Sequence, residues 1–265
     1  VTMSVRFPDF GERELIPLTP YCERVVPVIS YLHESISLER IKMETIQFRN
    51  NFPRVAFRIK VQEFDHVFSC VETLISSGDY LILDIESASH MSPVFKKIYK
   101  RIAESKRKLG FTSVIINAHR PEGLTNKEML DGEPIADIDN SLKELYSTVY
   151  MHKFDGFGDY ACISAALPST GGAISPVGIY YSNENNYFVA YKGRAPQLSE
   201  FPTYIAPRII ESEYWKEFSD THHENCAGCK EIAKIVSGAK SGRNQAQWKM
   251  ITMLHYIYTM FETSA

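Results

Sequence analysis

Three short segments of the sequence end in pairs of charged or polar residues that could carry acid–base or ligand-binding chemistry. The pairs are Arg58 with Lys60, Asp84 with Glu86, and Asn117 with His119. One residue separates the members of each pair, so in a strand both side chains share a face. Each pair follows an apolar run that is typical of a buried strand. Ligands bind at the carboxyl ends of such strands in barrels and open α/β sheets, so the pairs predict a polar site there.

The residue types suggest a role for each pair. The first pair would clamp an anionic or phosphate-bearing ligand, and Asn117 would add an amide. Asp84 and Glu86 would act as bases or metal ligands, and His119 as an acid. Two carboxylates and an amide suit Mg²⁺ or Ca²⁺ better than a soft metal. We therefore predict Asp84, Glu86 and His119 as catalytic residues, with Mg²⁺ as their cofactor.

A structural interpretation of the same residues stays open. Buried charges are costly unless they are paired, and Arg58 with Asp84 could form a salt bridge that fixes the strand register. Ion-pair networks of this kind resemble active sites in sequence.

Two later segments add candidate ligand-binding residues. Lys153 ends the next predicted strand, and the loop after it runs through Asp159 and Tyr160. The glycines of this loop would let the backbone approach a ligand closely. The alternative is a structural turn capped by the aspartate.

A histidine pair followed by Cys-x-x-Cys gives a second candidate site, formed by His222, His223, Cys226 and Cys229. In one continuous helix Cys229 would lie about 10 Å along the axis from His222, too far for one zinc ion. The ligands can converge only if the first half is a loop. A fourth ligand would be His223 or a remote residue such as Cys162 or His255.

Spacing alone favours the interpretation of this segment as a loop that runs into a helix. Structural zinc sites usually combine two separated ligand pairs, and the sequence has no second Cys-x-x-Cys. A redox-active thiol pair is a further alternative, but no thioredoxin-like strand precedes it. Zinc thus ranks behind Mg²⁺ as the expected cofactor.

Alternating strand and helix patterns must position these residues. Strands are predicted at 25–29, 55–61, 80–85, 112–117 and 149–154, and helices at 37–50, 63–76, 93–109 and 138–146. This alternation predicts a parallel sheet, either a (β/α) barrel-like fold or an open doubly wound sheet. A hairpin (175–182 with 187–192) and helices at 200–217, 226–237 and 244–261 follow. We predict a single β/α domain over 1–265, elaborated after about residue 155.

Composition limits the classes of partner and compartment. The chain has 29 basic and 32 acidic residues, so its net charge of -3 does not indicate nucleic-acid binding. No apolar stretch approaches the roughly 20 residues of a membrane span. Five cysteines without a framework spacing, and no pattern of a secretion signal, predict a cytoplasmic protein.

Several C-terminal motifs occur in a characteristic order: Phe157-Gly158-Asp159-Tyr160, Tyr191-Lys192-Gly193-Arg194, Tyr204, Cys229 to Ile232, Gly242, Trp248 and His255. This order resembles that of the Beta protein family of phages, phage satellites and bacterial genomes. The motifs cover about the last 100 residues, and the earlier part agrees in strand order. The resemblance implies a parallel β/α protein in phage–host conflict, with a defence or antitoxin-like role and a protein partner. Arg194 joins the predicted ligand-binding residues through this motif.

Three functional hypotheses follow. The first is a Beta-family protein that binds an anionic ligand or a protein partner at the carboxyl ends of its strands. The second is a metal-assisted phosphodiesterase or nucleotide hydrolase that uses Asp84, Glu86 and His119. The third is a structural interaction module in which the charged pairs serve stability.

Overall fold

A computed structural model gives the fold of the chain. It describes residues 25–31, 37–89, 92–118, 120–121, 123–135, 149, 151–163 and 174–264. The chain divides into two compact units. Unit 1 comprises Val1–Asn117 and Glu144–Gly158, and unit 2 comprises Ala118–Lys143 and Asp159–Ala265. The prediction that residues 1–265 form one domain stays a prediction.

A five-stranded sheet, with its strands in chain order, forms the centre of unit 1. The strands are β1 (Val28–Tyr31), β2 (Ala56–Lys60), β3 (Tyr80–Asp84), β4 (Thr112–Asn117) and, after β5 (Glu133–Pro134) in chain order, β6 (Gly156–Asp159). β1 to β4 pair in parallel, with Lys60 opposite Asp84. The predicted parallel α/β class is confirmed. Over the described residues the outer strands β1 and β6 do not pair with each other, so the sheet is open rather than closed into the expected barrel.

Three helices follow the first three strands, as the alternating pattern predicts. They are α1 (Leu38–Arg49), α2 (Phe64–Leu74) and α3 (Pro93–Leu109). The Ser37 hydroxyl caps α1 by accepting a hydrogen bond from the backbone N–H of Arg40 at 3.2 Å. Gly110 ends α3 in the left-handed conformation, with φ 76°. The strands and helices enclose an apolar core that includes Phe57, Ile59, Phe68, Val71, Leu83 and Ile115.

The strand predicted at 149–154 is wrong. Val149, Met151 and His152 are helical, and the strand is β6, Gly156–Asp159. Two glycines give β6 a low intrinsic strand propensity, but its position beside β4 supplies hydrogen bonds and packing. The helix predicted at 138–146 lies outside the described residues.

Unit 2 contains an antiparallel hairpin of β7 (Val177–Ser182) and β8 (Tyr187–Lys192), as predicted. Asn186 in the connecting loop has φ 56°, a conformation that asparagine tolerates better than most residues. The short strand β5 (Glu133–Pro134) pairs with the outer side of β8. The hairpin gives the helices of unit 2 a flat apolar surface to cover.

Five α-helices and one π-helical turn follow the hairpin. After the turn at Phe201–Ile205 come α4 (Ala206–Glu211), α5 (Glu213–Lys216), α6 (Asp220–Asn225), α7 (Ala227–Val236) and α8 (Gln245–Ser264). The predicted helix 200–217 is interrupted at Ser212, whose backbone is extended with ψ 158°. The Ser212 hydroxyl then caps α5 by accepting from the N–H of Trp215 at 3.2 Å.

Helix α8 packs across the hairpin with Trp248, Ile251 and Tyr256 buried. The Trp248 ring is 1% exposed, stacks on Phe201 at 5.2 Å and donates its indole N–H to the Gly242 carbonyl at 2.9 Å. Gly178 in β7 allows this approach, because a Cβ there would lie 2.9 Å from the Trp248 ring. No described helix is both long and apolar enough to cross a bilayer.

Candidate metal centre

The polar residues predicted at the ends of β2 and β3 lie together and are paired with each other. The Arg58 guanidinium binds the Asp84 carboxylate through Nε, at 2.9 Å from Oδ2, and through Nη2. Both side chains are buried, and Asp84 has no exposed surface. The other Asp84 oxygen accepts a hydrogen bond from the backbone N–H of Glu86 at 3.0 Å. Both oxygens of Asp84, the predicted catalytic carboxylate, therefore form hydrogen bonds within the protein.

A second ion pair lies beside the first. Lys60 binds Glu86, and the two side chains are 21% and 15% exposed. The Gln62 amide also donates to Glu86, at 3.3 Å. Glu86 has φ 50°, a left-handed conformation that non-glycine residues adopt at a cost. Asn117, at the end of β4, is buried. The pairing of Arg58 with Asp84 and of Lys60 with Glu86 thus matches the structural salt-bridge interpretation more closely than a preformed site for an anion.

The remaining predicted site residues are His119, Lys153, Asp159, Tyr160 and Arg194. His119 lies outside the described residues. Lys153 precedes β6 instead of ending a strand, so its predicted position is wrong. The Asp159 carboxylate accepts from the Ala161 N–H at 2.7 Å and from the Tyr256 hydroxyl at 2.6 Å, which makes it a turn cap.

Tyr160 and Arg194 belong to unit 2. Tyr160 directly follows the Asp159 turn cap and is partly buried. The Arg194 guanidinium lies 4.3 Å above the Tyr204 ring and its Nε is 3.4 Å from Glu200. Arg194 therefore has a cation–π contact and an ion pair within its own unit.

The Cys-x-x-Cys segment forms a compact donor cluster in unit 2. The chain leaves the helical conformation at Cys226, which has φ -67° and ψ 116°, so α6 ends before it and α7 starts after it. This break is the loop that spacing required for His222 to approach the two cysteines. His255, on α8, completes the cluster.

Four donor atoms, one each from His222, Cys226, Cys229 and His255, lie within 4.8 Å of one another. His255 Nδ1 is 3.7 Å from the Cys226 sulfur and 3.5 Å from the Cys229 sulfur. All four residues are at most 1% exposed. We call them the Cys₂His₂ cluster.

Hydrogen bonds on the far side of each imidazole set the direction of the ring. His222 Nδ1 lies 2.6 Å from a carboxylate oxygen of Glu262, and His255 Nε2 lies 3.0 Å from the Tyr181 carbonyl. His222 Nε2 is buried, and no described residue is its hydrogen-bond partner. Metal-binding histidines characteristically use one nitrogen for the ion and the other for a carboxylate or carbonyl.

Aromatic rings enclose the Cys₂His₂ cluster. Tyr180 stacks on His255 at 4.0 Å, and its hydroxyl is 3.6 Å from the Cys229 sulfur. Phe218 stacks on His222 at 4.2 Å. These rings exclude water from the donors and fix the imidazole planes.

Electrostatics within the Cys₂His₂ cluster favour one thiolate. A hydrogen bond with Cys229 lowers the pKa of the Cys226 thiol despite burial, and the two histidines act in the same direction. The same pairing raises the pKa of Cys229. Burial lowers the pKa of His222, but Cys226 and Glu262 outweigh it, and the pKa is raised. The thiolate is the form of cysteine that binds metals.

His223 and Cys162 do not belong to the cluster, although sequence reasoning included both as possible fourth ligands. The His223 ring stacks on Trp215 at 4.0 Å with only 5° between the planes. Cys162 is buried in a separate apolar group with Tyr181 and Tyr256. His255 takes the fourth place because α8 packs directly against α7. The predicted metal set therefore needs one correction, His255 in place of His223.

Two thiols and two imidazoles form a donor set typical of structural zinc sites. Fold and site together define a protein with a parallel α/β sheet in one unit and a buried Cys₂His₂ cluster in the other. The family model described as Beta protein matches residues 8–262, so the chain belongs to the Beta protein family. This match extends the motif resemblance to nearly the whole chain. Neither a curated protein nor a solved structure matches significantly.

Proposed function

We propose that this Beta-family protein is a zinc-containing binding protein in which one Zn²⁺ ion organises unit 2. The observation that carries the proposal is the convergence of four buried donor atoms within 4.8 Å. Zinc–ligand bonds of about 2.0 to 2.3 Å place tetrahedral ligands about 3.3 to 3.8 Å apart. A small contraction of the Cys₂His₂ cluster is enough to reach that geometry.

The donor chemistry supports zinc over the hard cations. Thiolate sulfur and imidazole nitrogen select zinc and other soft or borderline metals, whereas Mg²⁺ and Ca²⁺ take oxygen ligands. The cluster contains no carboxylate. Glu262 reaches it only through the far nitrogen of His222, at 2.6 Å.

Two features of the cluster support a structural role for the metal. Four protein ligands complete a tetrahedron, whereas catalytic zinc keeps a position for water or substrate. The donors also come from three elements, α6 and α8 together with the segment that opens α7, so that a single ion would tie these elements together. Binding free energy at such a site contributes directly to folding.

The partner-binding part of the proposal draws on unit 1 and on the family. The Lys60–Glu86 pair remains partly exposed at the strand ends, and the strained backbone of Glu86 is a conformation found at functional sites. An anionic ligand or protein partner would compete with Glu86 for Lys60. A role in phage–host conflict, with a protein partner, is what the family resemblance implies.

A hydrolase centred on Asp84 is the less favoured candidate. A general base must reach a substrate proton, and Asp84 is fully buried against Arg58. Stabilisation of unit 1 is the simpler role for this carboxylate.

Elemental analysis of the purified, tag-free chain tests the zinc proposal. We expect one equivalent of zinc in the wild type and in Cys162→Ser, which alters a buried cysteine outside the Cys₂His₂ cluster. The equivalent should be lost in Cys226→Ser and Cys229→Ser. A strong chelator should lower the melting temperature of the wild type. A metal-free wild type, or equal zinc in all four proteins, would overturn the proposal.

Binding at the strand ends is tested separately with inorganic phosphate and ATP as anionic probes. The proposal expects a saturable shift in the melting temperature of the wild type and a weaker shift in Lys60→Gln. Lys42→Gln, on the exposed surface of α1, serves as the control. Equal shifts in all three proteins, or none, would contradict anion binding by Lys60.

A further inference from the structure

Glu262 differs from the four donors of the Cys₂His₂ cluster in being exposed. Its carboxylate Oε2 is 2.6 Å from His222 Nδ1, while 43% of its side chain is exposed. His222 itself is 1% exposed. A charged side chain thus reaches from the surface to the far side of a buried candidate ligand.

Helix α8 supplies both His255 and Glu262. They are seven positions apart, close to two helical turns, so they share a face about 10 Å apart along the axis. The Nδ1 of His255 faces the two cysteine sulfurs. Two turns further along α8, the Glu262 carboxylate contacts the ring of His222. The same helix therefore provides one donor and orients another.

The contact also determines which nitrogen of His222 can face the metal. The Glu262 carboxylate accepts a hydrogen bond from Nδ1–H, which keeps the proton on Nδ1 and leaves the lone pair on Nε2. Nε2 is the buried nitrogen for which no described residue is a partner. Without Glu262, the proton of the neutral His222 ring could lie on either nitrogen, and the ring could rotate.

We propose that Glu262 is a positioning residue that fixes the tautomer and direction of the zinc ligand His222. This inference rests on the proposed zinc site. Glu262 would also act electronically on His222, because a carboxylate partner makes the imidazole a stronger base than a carbonyl partner does. At His255 the corresponding hydrogen-bond partner is the Tyr181 carbonyl, which is neutral and therefore raises the basicity of the ring less.

Zinc competition with a chromophoric chelator tests this role in the full-length chain. We compare the wild type with Glu262→Gln and Glu262→Ala. The matched control is Glu224→Gln, which removes an exposed charge from α6, the helix that carries His222. Loss of a residue that hydrogen-bonds to a metal ligand typically costs about 10 to 100-fold in metal affinity. We expect a loss in that range for Glu262→Ala, a smaller loss for Glu262→Gln, which can still accept a hydrogen bond, and none for the control.

A spectroscopic measurement separates positioning from general stability. The Co²⁺-substituted protein should show an altered d–d absorption in Glu262→Ala and an unchanged spectrum in Glu224→Gln. Unchanged affinity and spectrum in Glu262→Ala would overturn the inference, even if the variant were less stable. A wild type that binds no zinc would instead overturn the zinc proposal itself, so the two failures are distinguishable. If Glu262→Ala does not fold, the comparison of Glu262→Gln with Glu224→Gln decides.

Discussion

Gly228 in α7 lies directly against the backbone of His255 in α8. A Cβ at Gly228 would be 2.7 Å from the His255 nitrogen and 2.7 Å from the Ile251 carbonyl oxygen. The partners are backbone atoms, which cannot rotate away as a side chain can. The close approach of α7 to α8, and with it the distance from Cys229 to His255, therefore depends on glycine at this position.

The first prediction follows from that contact. Gly228→Ala should push α7 away from α8 and cost about 1–3 kcal/mol in unfolding free energy, in the range of overpacked cores. It should also weaken zinc binding, because His255 moves with α8. Urea unfolding and chelator competition measure both effects. Lys230→Ala, at an exposed position on α7, should change neither, and a fully stable, zinc-tight Gly228→Ala would contradict the packing argument.

The second prediction distinguishes His223 from the two histidines of the Cys₂His₂ cluster. His222→Gln and His255→Gln should each lose most of the bound zinc, since a missing ligand opens the tetrahedron. His223→Gln should retain it, because the His223 ring only stacks on Trp215. Metal content after dialysis checks the three variants. Zinc loss in His223→Gln with retention in His255→Gln would contradict the donor set.

The parts of this site that could be predicted from the sequence are those whose residues lie close together in the chain. The Cys-x-x-Cys spacing and the break before α7 are local, and both could be predicted. His255 is 26 positions from Cys229, and only the packing of α8 brings the two together. Chain proximity favoured His223 instead. Gly228, between the cysteines, permits this packing, but its contact with α8 becomes visible only in the fold.

The parallel sheet was predictable for a related reason. Apolar strands with a polar pair at each carboxyl end specify both the elements and the edge at which Lys60 and Asp84 are neighbours. Sequence could not decide whether these charges bind a ligand or each other, since both arrangements use the same residues. Strand β6 was missed because its glycines carry no strand propensity, and its pairing is a tertiary effect.

The third prediction concerns the buried ion pair of unit 1. Asp84→Asn should lower the unfolding free energy by about 3–5 kcal/mol, because it removes the charge that compensates the buried guanidinium of Arg58. The double variant Arg58→Met with Asp84→Leu should recover most of the loss. Urea denaturation measures all three proteins. Asp84→Asn as stable as the wild type would contradict the structural role and revive a catalytic one.

The fourth prediction is a pH dependence in unit 1. Burial opposes ionisation of Asp155, but Lys106 at 2.7 Å, together with the N–H and hydroxyl of Ser113, lowers the pKa of its carboxyl. A depressed folded-state pKa stabilises the protein above the unfolded pKa of about 3.9, and the contribution disappears as pH falls through the folded value.

Urea unfolding at pH 6 and pH 3 checks this dependence. The stability difference between wild type and Asp155→Asn should be largest at pH 6 and should shrink at pH 3. Asp65→Asn, whose side chain is 94% exposed, is the control and should show little difference at either pH. A difference for Asp155→Asn that does not change with pH would contradict the prediction.

The order of the donors along the chain has a consequence for synthesis on the ribosome. His222, Cys226 and Cys229 leave the exit tunnel first, and His255 follows only when α8 has been made. Until then a metal ion bound to the two thiols would lack its fourth ligand, so other thiols or metals could exchange at the site. The strands of unit 1 that precede residue 118 are already available to pair at that stage, since domains generally form as units during translation. Completion of the Cys₂His₂ cluster is thus expected to be a late event in the maturation of the newly made chain.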